Sequence, residues 1–186
     1  PRALAINPSS TPPKLYVANY HRNVISVLNA DTATRITEIP AGTSPRALGI
    51  FVSGTRERIF VANRYSNDVT IIDGATDSVV CTLATGAAPK AIAVDQNTGW
   101  AYVTSPTDDN VTVIDDTDQV AATIPVGDNP LGVAVDTDAG RVFVANYLSD
   151  NVSVIDIATN SVVDTVVVGV KPYSLALDRG NAKLYV

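Results

Sequence analysis

Basic side chains recur at one place in this sequence, directly after a proline that opens a short apolar run. The residues at that place are, in chain order, Arg2, Arg46, Lys90, Leu131 and Tyr173, and Lys171 adds a cation just before the last proline. Arginine binds planar carboxylates and phosphates through paired N–H groups, and lysine adds a compact positive charge. Like charges around a narrow opening would attract an anion. We therefore predict a ligand-binding site for a small anion or an acidic group at Arg2, Arg46, Lys90, Lys171 and Tyr173.

A second set of side chains lies in the longer polar segments between β-prone runs. These segments carry tyrosine, arginine and leucine at 20–22, 64–67 and 147–150. Tyrosine and arginine are frequent in the hot spots of protein interfaces. We predict that a protein or glycan partner contacts Tyr20, Arg64, Tyr65, Tyr147 and Leu148. Ordinary solvent-exposed loops are the alternative interpretation.

Residues that could support catalysis or bind a metal are few. His21 is the only histidine, and no serine or cysteine nucleophile motif accompanies it. Cys81 is the only cysteine, which excludes an internal disulfide and a cysteine metal cluster. The segment 136–140 resembles the start of a calcium loop but lacks the third oxygen ligand and the closing glutamate, so it is interpreted as a hairpin turn. We assign no catalytic residue, no metal ligand and no cofactor.

The elements that must position these residues repeat along the chain. The proline-led runs begin at Pro1, Pro45, Pro89, Pro130 and Pro172, with spacings of 44, 44, 41 and 42 residues. A period of this size indicates one supersecondary unit used several times. In the second repeat, four β-prone runs lie at 46–52, 58–62, 69–72 and 78–83, separated by glycine, asparagine, aspartate and proline. This pattern predicts four antiparallel strands, and no segment has helical spacing.

Four-stranded units that repeat every 40 to 50 residues or so are typical of β-propeller blades. We therefore predict an all-β, single-domain propeller with blades at about 1–44, 45–88, 89–129 and 130–171, and two strands of a fifth at 172–186. The ends of the chain carry strand types that do not complete one blade together. We expect a part of a longer propeller, in which further blades or another chain close the ring.

An Asx residue opens the turn after each third strand, and a threonine follows it closely. The Asx residues are Asn29, Asp73, Asp115 and Asp156. Such a side chain accepts a hydrogen bond from a backbone amide two residues further on, which fixes the turn. We assign these residues a structural role.

The repeated motifs resemble those of the YVTN family of β-propeller proteins. The motifs are Tyr/Phe-Val-Ala/Thr-Asn, then Asn-Val-Ser/Thr-Val-Ile-Asp, then Val-Gly-x-x-Pro, and they recur in this order over the whole chain. The resemblance implies a seven-bladed ring, of which this chain would form four blades and part of a fifth. It also implies a surface-layer or secreted protein. Propellers related to this family include lactone hydrolases and domains of haem and quinone oxidoreductases.

Composition and charge narrow the classes of partner and compartment. The net charge of −6 argues against general affinity for nucleic acid, which needs clustered cations. No stretch approaches the ~18 apolar residues of a membrane span. Few lysines and many threonine, valine, asparagine and glycine residues are typical of an extracellular or cell-envelope β protein. The glycosylation-type sequences at Asn110 and Asn151 are explained by the repeat itself.

Two functions remain open at the level of the sequence. The first is a non-catalytic extracellular or cell-envelope scaffold that binds a partner or a small anion through the channel-mouth face. The alternative is a propeller enzyme of the lactonase or haem/quinone oxidoreductase type, with its catalytic residues mostly outside this stretch. A histidine or acidic cluster at the channel would favour the enzyme. A polyanion binder is a third candidate, which the acidic total disfavours.

Overall fold

A computed structural model describes all residues from 1 to 186 and contains four four-stranded antiparallel sheets and one hairpin. The first sheet is β1 (Ala3–Asn7), β2 (Lys14–Asn19), β3 (Val24–Asn29) and β4 (Arg35–Pro40). The second is β5 (Pro45–Ser53), β6 (Arg56–Asn63), β7 (Asp68–Asp73) and β8 (Ser78–Ala84). The third is β9 (Ile92–Val94), β10 (Ala101–Ser105), β11 (Asn110–Ile114) and β12 (Val120–Pro125). The fourth is β13 (Pro130–Asp136), β14 (Arg141–Asn146), β15 (Asn151–Asp156) and β16 (Ser161–Val167). The final hairpin is β17 (Ala176–Asp178) and β18 (Lys183–Tyr185), joined by a short 3-10 turn, Arg179–Asn181.

The sheets are arranged as blades around a common axis. Within each sheet the strands pair in sequence order, and each pair is antiparallel. The first strands of successive sheets, from β1 through β5, β9 and β13 to β17, pack against one another at the inner side. The chain is therefore an all-β propeller with four complete blades and two strands of a fifth, which confirms the predicted fold. No helix is long and apolar enough to cross a bilayer.

The core lies between neighbouring blades rather than inside any one of them. One face of each sheet places alternating β-branched and aromatic side chains against the next sheet, as the two-residue period of a strand requires. Tyr16 and Ile25 of the first blade are fully buried against Ile59 and Ile72 of the second. The same arrangement recurs between the second and third blades and between the third and fourth. Each such buried isoleucine contributes about 1.5–3 kcal/mol of transfer free energy.

The links between blades carry a glycine because the next blade comes too close for a side chain. A Cβ atom on Gly42 would lie 2.7 Å from the amide nitrogen of Asn63, at the end of β6. A Cβ on Gly127 would lie equally close, 2.7 Å, to the Asn146 side chain at the end of β14. The glycine of Val-Gly-x-x-Pro and the asparagine of Tyr/Phe-Val-Ala-Asn are therefore two halves of one contact between blades.

A repeated hydrogen bond fixes the end of each link. An asparagine or aspartate ends each loop between the second and third strands. Its side-chain Oδ1 accepts a hydrogen bond from the backbone N–H of the residue that precedes the next blade's proline. The pairs are Asn23 with Ser44, Asn67 with Ala88, Asp109 with Asn129 and Asp150 with Lys171, at 2.8–2.9 Å. All eight residues have positive φ, between 51° and 61°. This bond sets the position of each proline and hence of the residue that follows it at the axis.

The turns after the third strands are fixed by their Asx side chains, as predicted. The Oδ1 atoms of Asn29, Asp73, Asp115 and Asp156 each accept amide hydrogen bonds within the turn. The bond from the Thr159 amide, 3.0 Å, holds the pKa of the Asp156 carboxyl below its usual value. These aspartates are therefore structural.

Candidate functional site

Three arginines converge on an open recess of about 290 Å³ at the channel mouth. Arg2 and Arg46 reach it from the inner side of the first and second blades, and Arg64 from the loop after β6. Tyr20 and His21, in the loop after β2, line it as well. The backbone is held by hydrogen bonds between inner segments and strand ends, from Arg2 N to Ala18 O at 2.9 Å and from Arg64 N to Ser44 O at 3.1 Å.

The cations at the mouth have no carboxylate partners. Six of the 13 basic residues form salt bridges, namely Lys14, Arg22, Arg35, Arg56, Arg58 and Arg141. Of the seven others, two lie in the final hairpin and five lie at or beside the mouth, which are Arg2, Arg46, Arg64, Lys90 and Lys171. Acidic residues outnumber basic ones by 19 to 13, yet none of these five side chains forms a salt bridge with one.

Arg46 lies at the centre of this positive charge. Partial burial lowers the pKa of its guanidinium, and the charges of Arg2 and Arg64 lower it further. Arginine stays ionised at physiological pH despite such a shift, so the repulsion among the three groups persists. An anion in the recess would relieve it.

Lys90 and Tyr173 form the other side of the mouth. The Lys90 ammonium donates a hydrogen bond to the Tyr173 hydroxyl at 3.1 Å and lies 4.8 Å from the centroid of its ring. This bond, followed by the charges of Lys90, Arg46 and Arg2, lowers the pKa of the Tyr173 phenol. The residues that follow the prolines of the first, second, third and fifth blades therefore share one electrostatic field.

Lys171 and Leu131 differ from the other predicted positions. The Lys171 ammonium lies 5.7 Å from the centroid of the Tyr147 ring, which meets the Tyr173 ring edge to face at 6.4 Å. Lys171 thus belongs to a tyrosine cluster beside the mouth and does not line the arginine recess. Leu131, in the fourth blade, is buried and supplies an apolar side chain where three other blades supply cations.

The residues predicted for partner contact divide into two groups. Tyr20 and Arg64 lie beside Arg2 and Arg46, so the structure places them with the predicted anion site. Tyr65 and Leu148 are well exposed, at 62% and 59%. Tyr65 packs against Tyr20, with ring centroids 6.2 Å apart, and under the Arg64 guanidinium at 5.2 Å. Tyr20, Arg64 and Tyr65 therefore form one continuous surface with the arginine recess.

Sequence reasoning gave no role to His21, which the structure places in the recess, in edge-to-face contact with Tyr20 at 5.0 Å. A signal was present, because Tyr20 and Arg64 both directly follow the asparagine that ends a second strand.

No group of three or more histidine, cysteine, aspartate or glutamate side chains could hold a metal ion. The carbonyl oxygen of the Asn151 side chain accepts a hydrogen bond from Asn146 at 2.7 Å, a contact within the blade.

Comparison with known proteins identifies the fold. No protein-family profile and no curated protein sequence matches this chain. Kuenenia stuttgartiensis hydrazine synthase has a similar solved structure, with a TM-score of 0.81 and 22% identity over 95% of this chain and 51% of that one. A functionally unknown protein from Desulfotomaculum acetoxidans DSM 771 has a TM-score of 0.72 and 18% identity, over 93% of this chain and 59% of that one. Dihydro-heme d1 dehydrogenase NirN in complex with DHE has a TM-score of 0.77 and 15% identity, over 91% of this chain and 38% of that one.

Hydrazine synthase and NirN are β-propeller proteins, so the comparisons agree with the architecture described above. This chain spans about half of the hydrazine synthase chain and less of NirN. At these identities the likeness concerns the fold alone.

Proposed function

We propose that this chain is part of a non-catalytic propeller scaffold that binds a small anion, or an acidic group of a partner, at the channel mouth. The observation that carries the proposal is the convergence of Arg2, Arg46 and Arg64 on one recess with no carboxylate beside them. Repulsion among unpaired arginines contributes nothing to the fold. Bound anions would turn the same geometry into charge-assisted hydrogen bonds.

The recess suits a carboxylate or phosphate group rather than a large ligand. Its volume of about 290 Å³ is at the lower limit of small-molecule pockets. Guanidinium groups offer paired N–H donors to planar oxyanions, and Tyr20 adds an aromatic wall. Because the recess is open to solvent, screening weakens each contact. We expect dissociation constants between about a millimolar and a micromolar.

We also propose that the chain belongs to a YVTN-type ring of seven blades in an extracellular or cell-envelope protein. The motif order along the whole chain supports this, as does the role of the motif glycine and asparagine in the contact between blades. The well-exposed Tyr65 and Leu148 would then extend the contact surface for a protein or glycan partner.

Titration of the protein with inorganic phosphate and with acetate, followed by calorimetry, tests the proposed site. Arg46→Gln should weaken binding at least tenfold, because it removes the central charge of the recess. Arg35→Gln is the matched control, since Arg35 is an exposed cation on β4, away from the mouth. Equal affinities in the wild-type protein and in Arg46→Gln would overturn the proposal.

A propeller enzyme is the second candidate function. The position of His21 in the arginine recess favours it, because histidine is the side chain that most readily exchanges protons near neutral pH. Two of the similar solved structures carry enzyme names. An absorbance spectrum of the purified protein that showed haem or quinone bands would favour this candidate over the scaffold.

A further inference from the structure

The only histidine of the chain, His21, lines the arginine recess. The other cations there, Arg2, Arg46 and Arg64, stay ionised at every physiological pH. Histidine differs from them, because it is the side chain whose charge changes most readily near neutral pH. No carboxylate lines the recess, so no fixed negative charge would compensate a proton on the imidazole. The recess therefore has three permanent positive charges and a place for a fourth.

The loop that carries His21 is tied to the link that leads into Arg46. The backbone of the loop closes through a hydrogen bond from Asn23 N to Asn19 O at 3.1 Å. The Asn23 side chain then accepts a hydrogen bond from Ser44 N at 2.9 Å, two residues before the arginine. The fold itself thus brings the imidazole and the central guanidinium to one recess.

The fold does not require a histidine at this place in the loop. The equivalent residues of the second, third and fourth blades are Tyr65, Thr107 and Leu148. Blades therefore form with a phenol, a hydroxyl or an alkyl side chain at this position. The side chain of His21 is exposed, and its ring meets only the edge or face of Tyr20, at 5.0 Å between centroids. Its position in the recess is better explained by the site than by packing.

The other titratable groups around the imidazole keep their charge from mildly acidic to neutral pH. Arg22 is next in the chain, and its hydrogen bond to Glu38 holds the pKa of that carboxyl below its usual value. Tyr20 and Tyr65 carry phenols, which are neutral in this range, and a chain-terminal amine such as that of Pro1 is charged. The imidazole is therefore the group that can make this recess respond to pH.

We propose that His21 is the fourth anion-binding group of the recess and that its protonation controls affinity, so that the site takes up an anion as the pH falls and releases it as the pH rises. This inference rests on the anion site proposed above. A proton on the imidazole adds one positive charge beside the bound anion, which strengthens binding. By linkage, the anion favours protonation to the same extent, so binding takes up protons.

Calorimetric titration of the full 186-residue chain with sulfate and with methanesulfonate tests the inference, because neither anion changes its own charge in this range. Sulfate affinity of the wild-type protein should rise at least threefold from about pH 7 to about pH 5, and that of His21→Gln should not change. The rise should be smaller for methanesulfonate, since Coulomb attraction is proportional to the charge of the anion. Titrations in buffers with different enthalpies of ionisation should show proton uptake in the wild-type protein only.

Two further variants separate the charge of His21 from its packing. His21→Arg carries a permanent positive charge and should bind sulfate with the same high affinity at both pH values. Tyr20→Phe retains the ring beside the imidazole and should retain the pH dependence, whatever its effect on affinity. Circular dichroism of each variant at both pH values checks that the fold is intact.

The outcomes separate the two proposals. Sulfate affinity that is independent of pH in the wild-type protein, but at least tenfold weaker in Arg46→Gln, would overturn the role of His21 and leave the anion site in place. A pH dependence that persists in His21→Gln would also overturn it, because another group would then carry the proton. Equal sulfate affinities in the wild-type protein and in Arg46→Gln would show that the proposed function itself is wrong.

Discussion

At the residue scale, the asparagine that ends a second strand joins two blades. The Asn63 amide donates to Asp68 at 2.7 Å and to Thr70 at 2.9 Å, which holds the loop after β6 to its own blade. The same amide lies directly under Gly42 of the preceding link. Asn146 repeats both contacts, with Asn151, Ser153 and Gly127 as its neighbours. Because these hydrogen bonds fix the asparagine side chain, the link residue packed against it has to be glycine.

This contact predicts that equivalent glycines differ in their tolerance of alanine. In Gly127→Ala the new Cβ would collide with Asn146, and relief of that overlap should cost about 1–3 kcal/mol of unfolding free energy. Gly169→Ala is the matched control, because Gly169 has the same place in the repeat but no atom within 4 Å of its Cβ position. Urea denaturation of both variants measures the difference. Equal losses in the two would contradict the proposed role of close approach.

The candidate site was predictable only in part at this scale. Arg2, Arg46 and Lys90 could be found because they share a place in the repeat. Arg64, Tyr20 and His21 were not predicted to line the recess, because the conformation of their loops determines whether these side chains approach Arg2 and Arg46. The loop after β2 closes through Asn23 in a left-handed conformation, with φ of 57°, which directs the chain back toward the next proline. Residue type alone does not determine such a conformation.

At the scale of strands and turns, ion pairs tie neighbouring blades together on the face opposite the mouth. Arg56 and Arg58 of β6 each place a nitrogen 2.9 Å from a carboxylate oxygen of Asp118, in the turn before β12. Lys14 of β2 contacts Asp77 in the equivalent turn of the second blade at 2.9 Å. Lys14, Arg56 and Arg58 are therefore each paired with a carboxylate of the next blade, in contrast to the cations at the mouth.

The ion pairs predict unequal costs for removing two acidic residues. Asp118→Ala should lower the free energy of unfolding by about 2–3 kcal/mol, since it leaves the partly buried Arg56 guanidinium without a carboxylate partner and Arg58 with Asp73 alone. Glu38→Ala should cost less than about 1 kcal/mol, because Arg22 and Arg35 are more than 60% exposed. Urea denaturation at low and moderate salt measures both. A larger loss for Glu38→Ala would show that burial does not set the strength of these pairs.

At the scale of the whole molecule, the architecture could be predicted because it depends on period and pattern. Proline-led runs recur five times, and each complete repeat contains four β-prone segments. This pattern specifies blades even where the residue type at one position varies, as between Tyr16, Phe60 and Tyr102. The composition of the candidate site could not be predicted in the same way. It depends on positions where the repeats differ, such as Leu131 in place of a cation, and such differences carry meaning only once the blades are arranged around an axis.

The row of blades has two unlike ends, and both expose apolar side chains. On the first blade, Leu4 and Ile6 of β1 are 64% and 54% exposed. Between the fourth blade and the final hairpin lies a groove of about 310 Å³ lined only by apolar side chains, including Phe143, Val166 and Leu184. Between complete blades, the third strand of the next blade covers the equivalent surface, as Ile72 does in the first of the three clusters. Uncovered faces of this kind favour association.

We therefore expect the 186-residue chain to self-associate head to tail, with the first blade of one copy against the groove of another. Val166→Glu should weaken association at least tenfold, because a charge in the groove would have to be desolvated. Val163→Glu is the matched control, since it lies on the same strand with similar exposure, 52% against 46%, but outside the groove. Sedimentation equilibrium over a range of concentrations measures both variants. A wild-type chain that stays monomeric, or equal effects of the two substitutions, would contradict a groove-directed contact, because only Val166 lies where a third strand would pack.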